Sequence, residues 1–144
     1  DEALALLDGV PGAKTRQSEG ARLRRLALHR QGEAAWQRGD LGAAAAALKD
    51  ADAADSTPWT HHDRAVVLAA QGKWKPAVKA WRAVQKAVPE ATFNLAVALE
   101  RSGDHEGAWQ LYDRHARAGR PHSDEARRIA DAKARVFGFG QGDR

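Results

Sequence analysis

The sequence predicts an all-α fold of stacked helix pairs, and three observations support this. Apolar residues recur at helical spacing through most of the 144 residues. Nowhere do β-branched residues alternate with polar ones over the length of a strand. Three segments of the chain repeat one pattern around a glycine. The composition agrees, since 43% of the residues are hydrophobic and no apolar run in the sequence is long enough to span a bilayer.

The repeat is defined by three turn glycines, Gly39, Gly72 and Gly103, spaced by 33 and 31 residues. An alanine follows each glycine by five residues and a large apolar residue follows four residues later, as Ala44 and Leu48, Ala77 and Trp81, Ala108 and Tyr112. Glycine allows the tight turn with positive φ at which one helix ends and the next returns antiparallel. Small residues at the closest approach (Gly32, Ala65 and Ala96 opposite Ala44, Ala77 and Ala108) let the backbones pack, and one pair cannot bury both faces, so pairs stack.

These residues resemble the tetratricopeptide repeat (TPR) family over about residues 25–120. The second repeat keeps the most of the family pattern, namely Ala65, Leu68, Gly72, Trp74, Ala77, Trp81 and Pro89. Departures are Gln31 and Ser56, where Leu and Pro are usual, and His115 in place of a late Ala. The resemblance implies a right-handed α-solenoid of about three helix-turn-helix repeats, over residues 25–56, 58–89 and 89–120, within a repeat region of 19–122.

The flanking elements are predicted from helix punctuation. Residues 1–18 form an N-terminal segment broken at 9–12, and Ser18 is predicted to cap a helix over 19–38. Thr57 precedes Pro58 as an N-cap before a proline at the first helical position. Ser123 is predicted to cap a last helix over 123–137, which Gly138 ends, and TPR arrays commonly finish with such a capping helix. Residues 138–144 are predicted to be a flexible tail.

The resemblance also implies a concave groove lined by inner-helix side chains that bind a partner protein. Placing the repeats in register predicts nine partner-binding residues: His29, Glu33, Trp36, Trp59, His62, Val66, Phe93, Val97 and Arg101. The middle of this set is apolar, which suits an amphipathic helix or an extended apolar peptide. One TPR subclass holds a C-terminal carboxylate with Lys, Asn and Arg. The matching positions here are His29, Glu33, Asp63, Glu90 and Asn94, and only Asn94 fits, which argues against that mode.

The five tryptophans divide into two groups. Trp74 and Trp81 stand where the pattern requires bulk, and Trp109 lies on the packing face of its helix, so all three are predicted to be core. The pattern does not require Trp36 or Trp59. Either these two rings contact a partner, or a terminal segment of the chain covers them.

Catalysis and cofactor binding find no support in the sequence. The chain has no Cys, which excludes disulfides, thiolate metal sites and cysteine nucleophiles. His61 and His62 are adjacent and would point about 100° apart on a helix, and no His pair has the i, i+4 spacing of helical zinc ligands. There is no phosphate-binding glycine loop and no nucleophile elbow. We therefore expect a non-catalytic protein without metal or cofactor.

Two other kinds of function stay open. The net charge is +4 and arginines cluster at Arg22, Arg24, Arg25 and Arg30 and at Arg127, Arg128 and Arg135, which would suit RNA or another nucleic acid. Nearby acids dilute both clusters, so a nucleic-acid partner is less favoured than a protein. Self-association through an unfinished repeat end is the other alternative.

The cellular setting is a matter of composition alone. The Ala- and Arg-rich composition suggests a bacterium of high GC content, where TPR proteins often serve envelope assembly, motility or secretion. The sequence lacks Met, which favours a processed chain in the periplasm or envelope over the cytoplasm.

Overall fold

The computed structural model describes residues 13–140, and these residues form helices and no strand. In chain order the helices are α1 (Ala13–Gln37), α2 (Leu41–Ala54), α3 (Pro58–Ala70), α4 (Trp74–Val84), α5 (Glu90–Arg101), α6 (His105–Arg117) and α7 (Ser123–Phe137). The predicted N-terminal segment up to residue 12, with its break at 9–12, lies outside the described residues. The chain divides into two compact units, one ending at Thr60 and the other beginning at His61.

The first unit is built around the α1–α2 pair. Gly39 makes the turn with φ +75°, and Asp40 caps α2 by accepting the Ala43 N–H at 3.0 Å. Gly32 is the point of closest approach, because a Cβ placed there would lie 2.9 Å from Leu48 Cγ. The small residue that the repeat predicts at this position is therefore required by the packing.

The start of α1 differs from the prediction. The helix begins at Ala13 rather than after Ser18, and Ser18 is exposed inside it. Residues 13–17 read Ala-Lys-Thr-Arg-Gln, and most of these are strong helix formers, so the helix extends through the serine. A serine side chain is tolerated on an exposed helix surface at small cost.

The second unit has one hydrophobic core to which α3–α7 contribute. The predicted small residues at the closest approaches are all fully buried there: Ala65, Ala77, Ala96 and Ala108. Larger buried side chains fill the spaces between helices, among them Trp81, Leu95, Leu99 and Tyr112. Trp81 is a core residue as predicted, whereas Trp74 and Trp109 are only half-buried and pack against the core.

The starts of the helices in the second and third repeats are capped in different ways. Thr57 caps α3 as predicted, since its Oγ1 accepts the Thr60 N–H at 3.1 Å. Asp104 caps α6 by accepting the Gly107 N–H at 2.8 Å. At α4 the N-cap residue is Lys73, which makes no side-chain capping bond. Pro76 stands three residues later and has no N–H to offer, so an acidic cap would gain less there.

The last helix has the predicted bounds but not the predicted cap. Gly138 ends α7 in the left-handed conformation with φ +75°, as predicted. The residue before the helix is His122, with φ +66°. Ser123 is the first helical residue, and its hydroxyl donates to the carbonyl of Arg120 instead of capping an amide. Carbonyls of the preceding turn lie within reach of this hydroxyl and compete for it.

The predicted flexible tail is packed through Gly140. Phe139 is half-buried, and its ring centroid lies 5.6 Å from that of Trp109 and 5.3 Å from that of Phe137. A Cβ at Gly140 would lie 2.9 Å from Trp109, so the backbone passes directly over the indole. Residues 141–144 lie outside the described residues. No helix between residues 13 and 140 combines the length and the apolar character of a membrane span.

Candidate functional site

The second unit contains a cleft of about 260 Å³ that we call the apolar cleft. Val66, Ala69 and Ala70 of α3 form one wall, because their spacing of i, i+3 and i+4 places them on one helix face. Asn94 and Val97 of α5 form the other wall. Trp74 and Trp81 of α4 complete the lining. The small side chains on α3 leave the space that the cleft occupies.

Trp81 is a rigid part of the apolar cleft. Its side chain is 3% exposed, and its Nε1–H donates to His62 Nδ1 at 3.1 Å. Accepting this bond requires an unprotonated Nδ1. Burial lowers the pKa of His62 and outweighs the charges of Asp63 and Glu90, which raise it. His62 is therefore held as a neutral acceptor that orients the indole.

Trp74 is covered on one side by a cation. The Cζ atom of Arg101 lies 6.0 Å from the centroid of the Trp74 ring, the arrangement of a cation–π contact. Arg101 itself is exposed. The apolar cleft therefore has a positive charge beside an aromatic wall.

A second and larger cleft of about 750 Å³, which we call the aromatic cleft, lies on the same unit. Its lining includes one phenylalanine, three histidines, two prolines and a charge of each sign: His62, Pro89, Glu90, Phe93, Asn94, His115, Arg120, Pro121 and His122. The Phe93 ring meets Tyr112, His115 and His122, with all three centroid distances at 5.6 Å. Asn94 lines both clefts.

His115 is the buried polar residue of the aromatic cleft. Its side chain is 3% exposed, and Nε2 lies 2.8 Å from the carbonyl oxygen of Pro121. Since a carbonyl only accepts, Nε2 must carry the proton. Nδ1 has no hydrogen-bond partner among the described residues. The imidazole thus fixes the Arg120–His122 loop on α6.

Polar residues behind the clefts join α5, α6 and α7. Lys133 Nζ lies 2.8 Å from Glu100 Oε1, and the Tyr112 hydroxyl donates to Glu100 Oε2 at 3.1 Å. Burial raises the pKa of Glu100, but the hydrogen bond and charge of Lys133 outweigh it, so the pKa lies below its ordinary value. Burial and the neighbouring Glu100 raise the pKa of Tyr112 far above its usual range, so the phenol stays a donor.

The structure brings five of the nine predicted partner-binding residues to these clefts. Val66 and Val97 line the apolar cleft, and Arg101 lies against its Trp74 wall. Phe93 and His62 line the aromatic cleft. His62 is buried and bonded to Trp81, so its ring positions the indole in addition to lining the cleft.

The other four predicted residues belong to the first unit. His29 Nδ1 lies 3.7 Å from Glu33 Oε1 on α1. Trp36 is 42% exposed and Trp59 is 53% exposed. Contact with a partner stays a prediction for both tryptophans, and the N-terminal segment of the other alternative lies, up to residue 12, outside the described residues.

Sequence reasoning missed two kinds of lining residue. The repeat pattern predicts Trp74 to be core, but Trp74 is half-buried and faces the apolar cleft. The loop before α7 contributes Arg120, Pro121 and His122, and no periodicity indicates which way a side chain in this loop points.

Three histidines line the aromatic cleft. Even so, residues 13–140 contain no group of three or more His, Cys, Asp or Glu side chains placed to hold a metal ion.

Comparison with known proteins agrees with this architecture. The family model for the tetratricopeptide repeat matches residues 62–123, and this range includes every lining residue of both clefts. The TPR domain of Sgt2 from Aspergillus fumigatus is similar in structure, with a TM-score of 0.67 and 22% identity. That match covers 83% of this chain and 82% of the Sgt2 domain. No curated protein matches the sequence. The predicted fold class, an all-α solenoid of TPR-like helix pairs, is confirmed.

Proposed function

We propose that this chain, whose residues 62–123 match the family model of the tetratricopeptide repeat, is a non-catalytic scaffold or adaptor that binds a partner protein. Its second unit holds a peptide or an amphipathic helix of that partner. The observation that carries the proposal is the pair of clefts on this unit, which share Asn94. Concave sites with mostly apolar walls and a few polar groups are typical of binding sites.

The apolar cleft suits an aliphatic side chain of the partner. Val66, Val97 and the two indoles offer apolar contact, and Trp81 is already fixed by its bond to His62. A fixed wall loses little conformational entropy on binding. Full burial of one Leu or Ile side chain contributes about 1.5–3 kcal/mol.

The aromatic cleft suits the polar side of the same segment. Arg120 and Glu90 provide a charge of each sign, and the Asn94 amide can both donate and accept. A segment with apolar residues on one side and polar residues on the other fits this division. This supports an amphipathic helix or a short peptide over a purely apolar one.

Exposed residues of the first unit extend the proposal. Trp36 and Trp59 present large aromatic surfaces, and tryptophan is enriched among residues that dominate binding energy. We retain the prediction that these rings, with His29 and Glu33, contact a partner. By analogy with TPR proteins of high-GC bacteria, the proposal extends to envelope assembly, motility or secretion, in the periplasm or envelope.

Selection from a peptide-display library on the immobilised full chain tests the proposal. Enriched peptides are then titrated by calorimetry against the chain and against Val97→Asp, which places a charge in the apolar cleft. We expect the variant to bind at least about tenfold more weakly, because the charge would be desolvated against an apolar ligand.

A control variant separates the cleft from general effects of charge. Ala83→Asp adds the same charge on the exposed surface of α4, away from the residues that line either cleft. Binding should be unchanged in this control, and circular dichroism should show native helicity in both variants. Equal affinity of Val97→Asp and the unaltered chain would overturn the proposal, as would a library without enriched peptides.

A further inference from the structure

A surface away from both clefts carries an unbroken series of positive charges. From Arg64 to Pro89 the sequence contains six basic residues and no acidic one. Five of the six are exposed, and four of these five lie on α4 or just after it: Lys75, Lys79, Arg82 and Lys86. We call these four residues the basic stripe. None of them lines the apolar or the aromatic cleft.

The basic stripe is straight and one side chain wide. Spacings of four, three and four residues place the side chains within a sector of about 60° on a helix. Lys86 follows the end of α4, and the helical turn continues to it, because the Val88 N–H donates to the Val84 carbonyl at 2.8 Å. The stripe is about 16 Å long at 1.5 Å per residue. Ala77, Trp81 and Val84 lie on the opposite, buried side of the same helix.

Within residues 13–140, no acid compensates the charges of the basic stripe. None of the four residues forms an ion pair with another residue of the described part of the chain. The two arginine clusters of the sequence differ in this respect. Arg25 pairs with Asp55, and Arg127 pairs with Asp113, each at 2.8 Å. Each arginine cluster thus has one member compensated by an acid, whereas no member of the basic stripe is compensated in this way among the described residues.

We propose that the basic stripe binds the phosphate backbone of a nucleic-acid strand without reading its sequence. A strand presents phosphates along a line, and the stripe presents cations along a line. Three of the four residues are lysines, which act as point charges on phosphates and not as planar forks for base edges. This inference is independent of the clefts and of the partner proposed for them.

A protein or a membrane partner fits the basic stripe less well. Protein interfaces are depleted in lysine and have an apolar centre. The basic stripe, by contrast, consists mainly of lysines and has no apolar residue among its four members. A bilayer presents a plane of charge, which a broad basic surface would match. The helices α6 and α7 do not add such a surface to the stripe, because they carry acids among their bases.

Fluorescence anisotropy with labelled oligonucleotides, single-stranded and duplex, tests the proposal on the full chain. Four phosphate contacts predict that log K falls with log salt with a slope of about −3 to −4. Lys79→Glu/Arg82→Glu should weaken binding at least about tenfold and reduce the magnitude of the slope by about 2. The milder pair Lys75→Gln/Lys86→Gln should change both quantities in the same direction.

A matched control distinguishes the basic stripe from net charge. Arg128→Glu/Arg135→Glu makes the same change of charge on α7, where both residues are exposed, and should leave binding within about threefold. Equal weakening by both charge reversals would overturn the assignment to α4. The proposal would also fail if anionic phosphatidylserine vesicles or polyglutamate bound through the stripe while the oligonucleotides did not. Circular dichroism of each variant excludes unfolding as the cause.

Discussion

Lys133 is a buried cation on which the polar contacts behind the clefts depend. Its side chain is 8% exposed, and its ammonium group lies 2.8 Å from Glu100 and 3.4 Å from His105 Nδ1. Glu100 in turn accepts from Tyr112. One lysine thus connects α7 to α5, and the same carboxylate connects α5 to α6.

Replacing Lys133 by Met should lower the free energy of unfolding by about 1–3 kcal/mol. The substitution leaves Glu100 without its cation, and removal of one partner of a buried pair typically costs about 3–5 kcal/mol. The Glu100 side chain is 38% exposed, so water replaces part of the lost interaction and the effect is smaller. Urea unfolding at neutral pH measures the change, with the exposed Lys79→Met as a control of little effect.

At acid pH, the free energies of unfolding of Lys133→Met and of the unaltered chain should differ less than at neutral pH. The pKa of Glu100 is lower in the folded protein than in the unfolded chain. Its stabilisation is therefore present above the unfolded pKa of about 4.3 and is lost as the pH falls through the folded value. If the difference in unfolding free energy stayed constant from neutral to strongly acid pH, the pairing with Glu100 would not be its source.

His62 should make the second unit less stable below neutral pH. Burial lowers its pKa from 6.5 in the folded state, so the unfolded chain takes up the proton first. Stability is then greatest above the unfolded pKa and falls as the pH drops toward the folded value. Unfolding of His62→Gln, compared at about pH 7.5 and 5, should show a smaller decline than the unaltered chain. An equal decline, with the neighbouring His61→Gln as the reference, would rule out this role.

Single residues are predictable from the sequence where one physical requirement decides their position. The buried alanines follow from helix contact, and Val66 and Val97 follow from the register of the repeat. The pattern predicts core positions for Trp74 and Trp109 but does not tell how far each ring is covered, and both are half-buried against the core. The bond between Trp81 and His62 joins residues 19 apart in the chain, and no local pattern indicates it.

The α1–α2 element offers two helical glycines with opposite surroundings. A Cβ placed at Gly20 would meet no atom outside its own helix within 4 Å, whereas a Cβ at Gly32 would lie 2.9 Å from Leu48 Cγ. Gly20→Ala should stabilise the chain by about 0.5–1 kcal/mol, because alanine loses less backbone entropy in a helix. Gly32→Ala should destabilise it by about 1–2 kcal/mol, because the packed Leu48 must move.

Thermal or chemical unfolding of the two glycine variants measures whether the two substitutions change stability in opposite directions. Both substitutions have the same helix-propensity gain, so each serves as the control for the other. Stabilisation by both variants would contradict the close approach of α1 and α2 at Gly32. The double variant Gly32→Ala/Leu48→Ala should be less stable than Gly32→Ala alone. The cavity left by the leucine side chain costs more stability than removal of the close contact restores.

Helix bounds are predicted well where a strong stop or start residue is present. Gly138 ends α7 and Thr57 starts α3 as predicted. Serine is a weaker signal, since its hydroxyl can bond carbonyls as well as amides. Neither Ser18 nor Ser123 caps its helix in the predicted way. The packing of Phe139 on Trp109 is missed because the glycines on either side of Phe139 suggest a mobile chain.

The repeat makes the fold of the whole molecule predictable, since three weak patterns in register restrict the chain to one architecture. The candidate site is predictable only in part. The faces of α3 and α5 follow from helical register, but the loop before α7 has no such register. The basic stripe is visible in the sequence as a stretch without acids, yet its straightness depends on the buried side of α4.

Nuclear magnetic resonance of the tryptophan indole N–H groups tests most directly whether the second unit binds a partner segment. Trp74 and Trp81 line the apolar cleft, whereas Trp109 lies under Phe139 outside both clefts. Single Trp→Phe variants assign the signals, and a display-selected peptide is then titrated into the full chain. The signals of Trp74 and Trp81 should shift in proportion to occupancy while that of Trp109 stays in place. Saturable peptide binding that leaves the Trp74 and Trp81 signals unmoved would contradict the account.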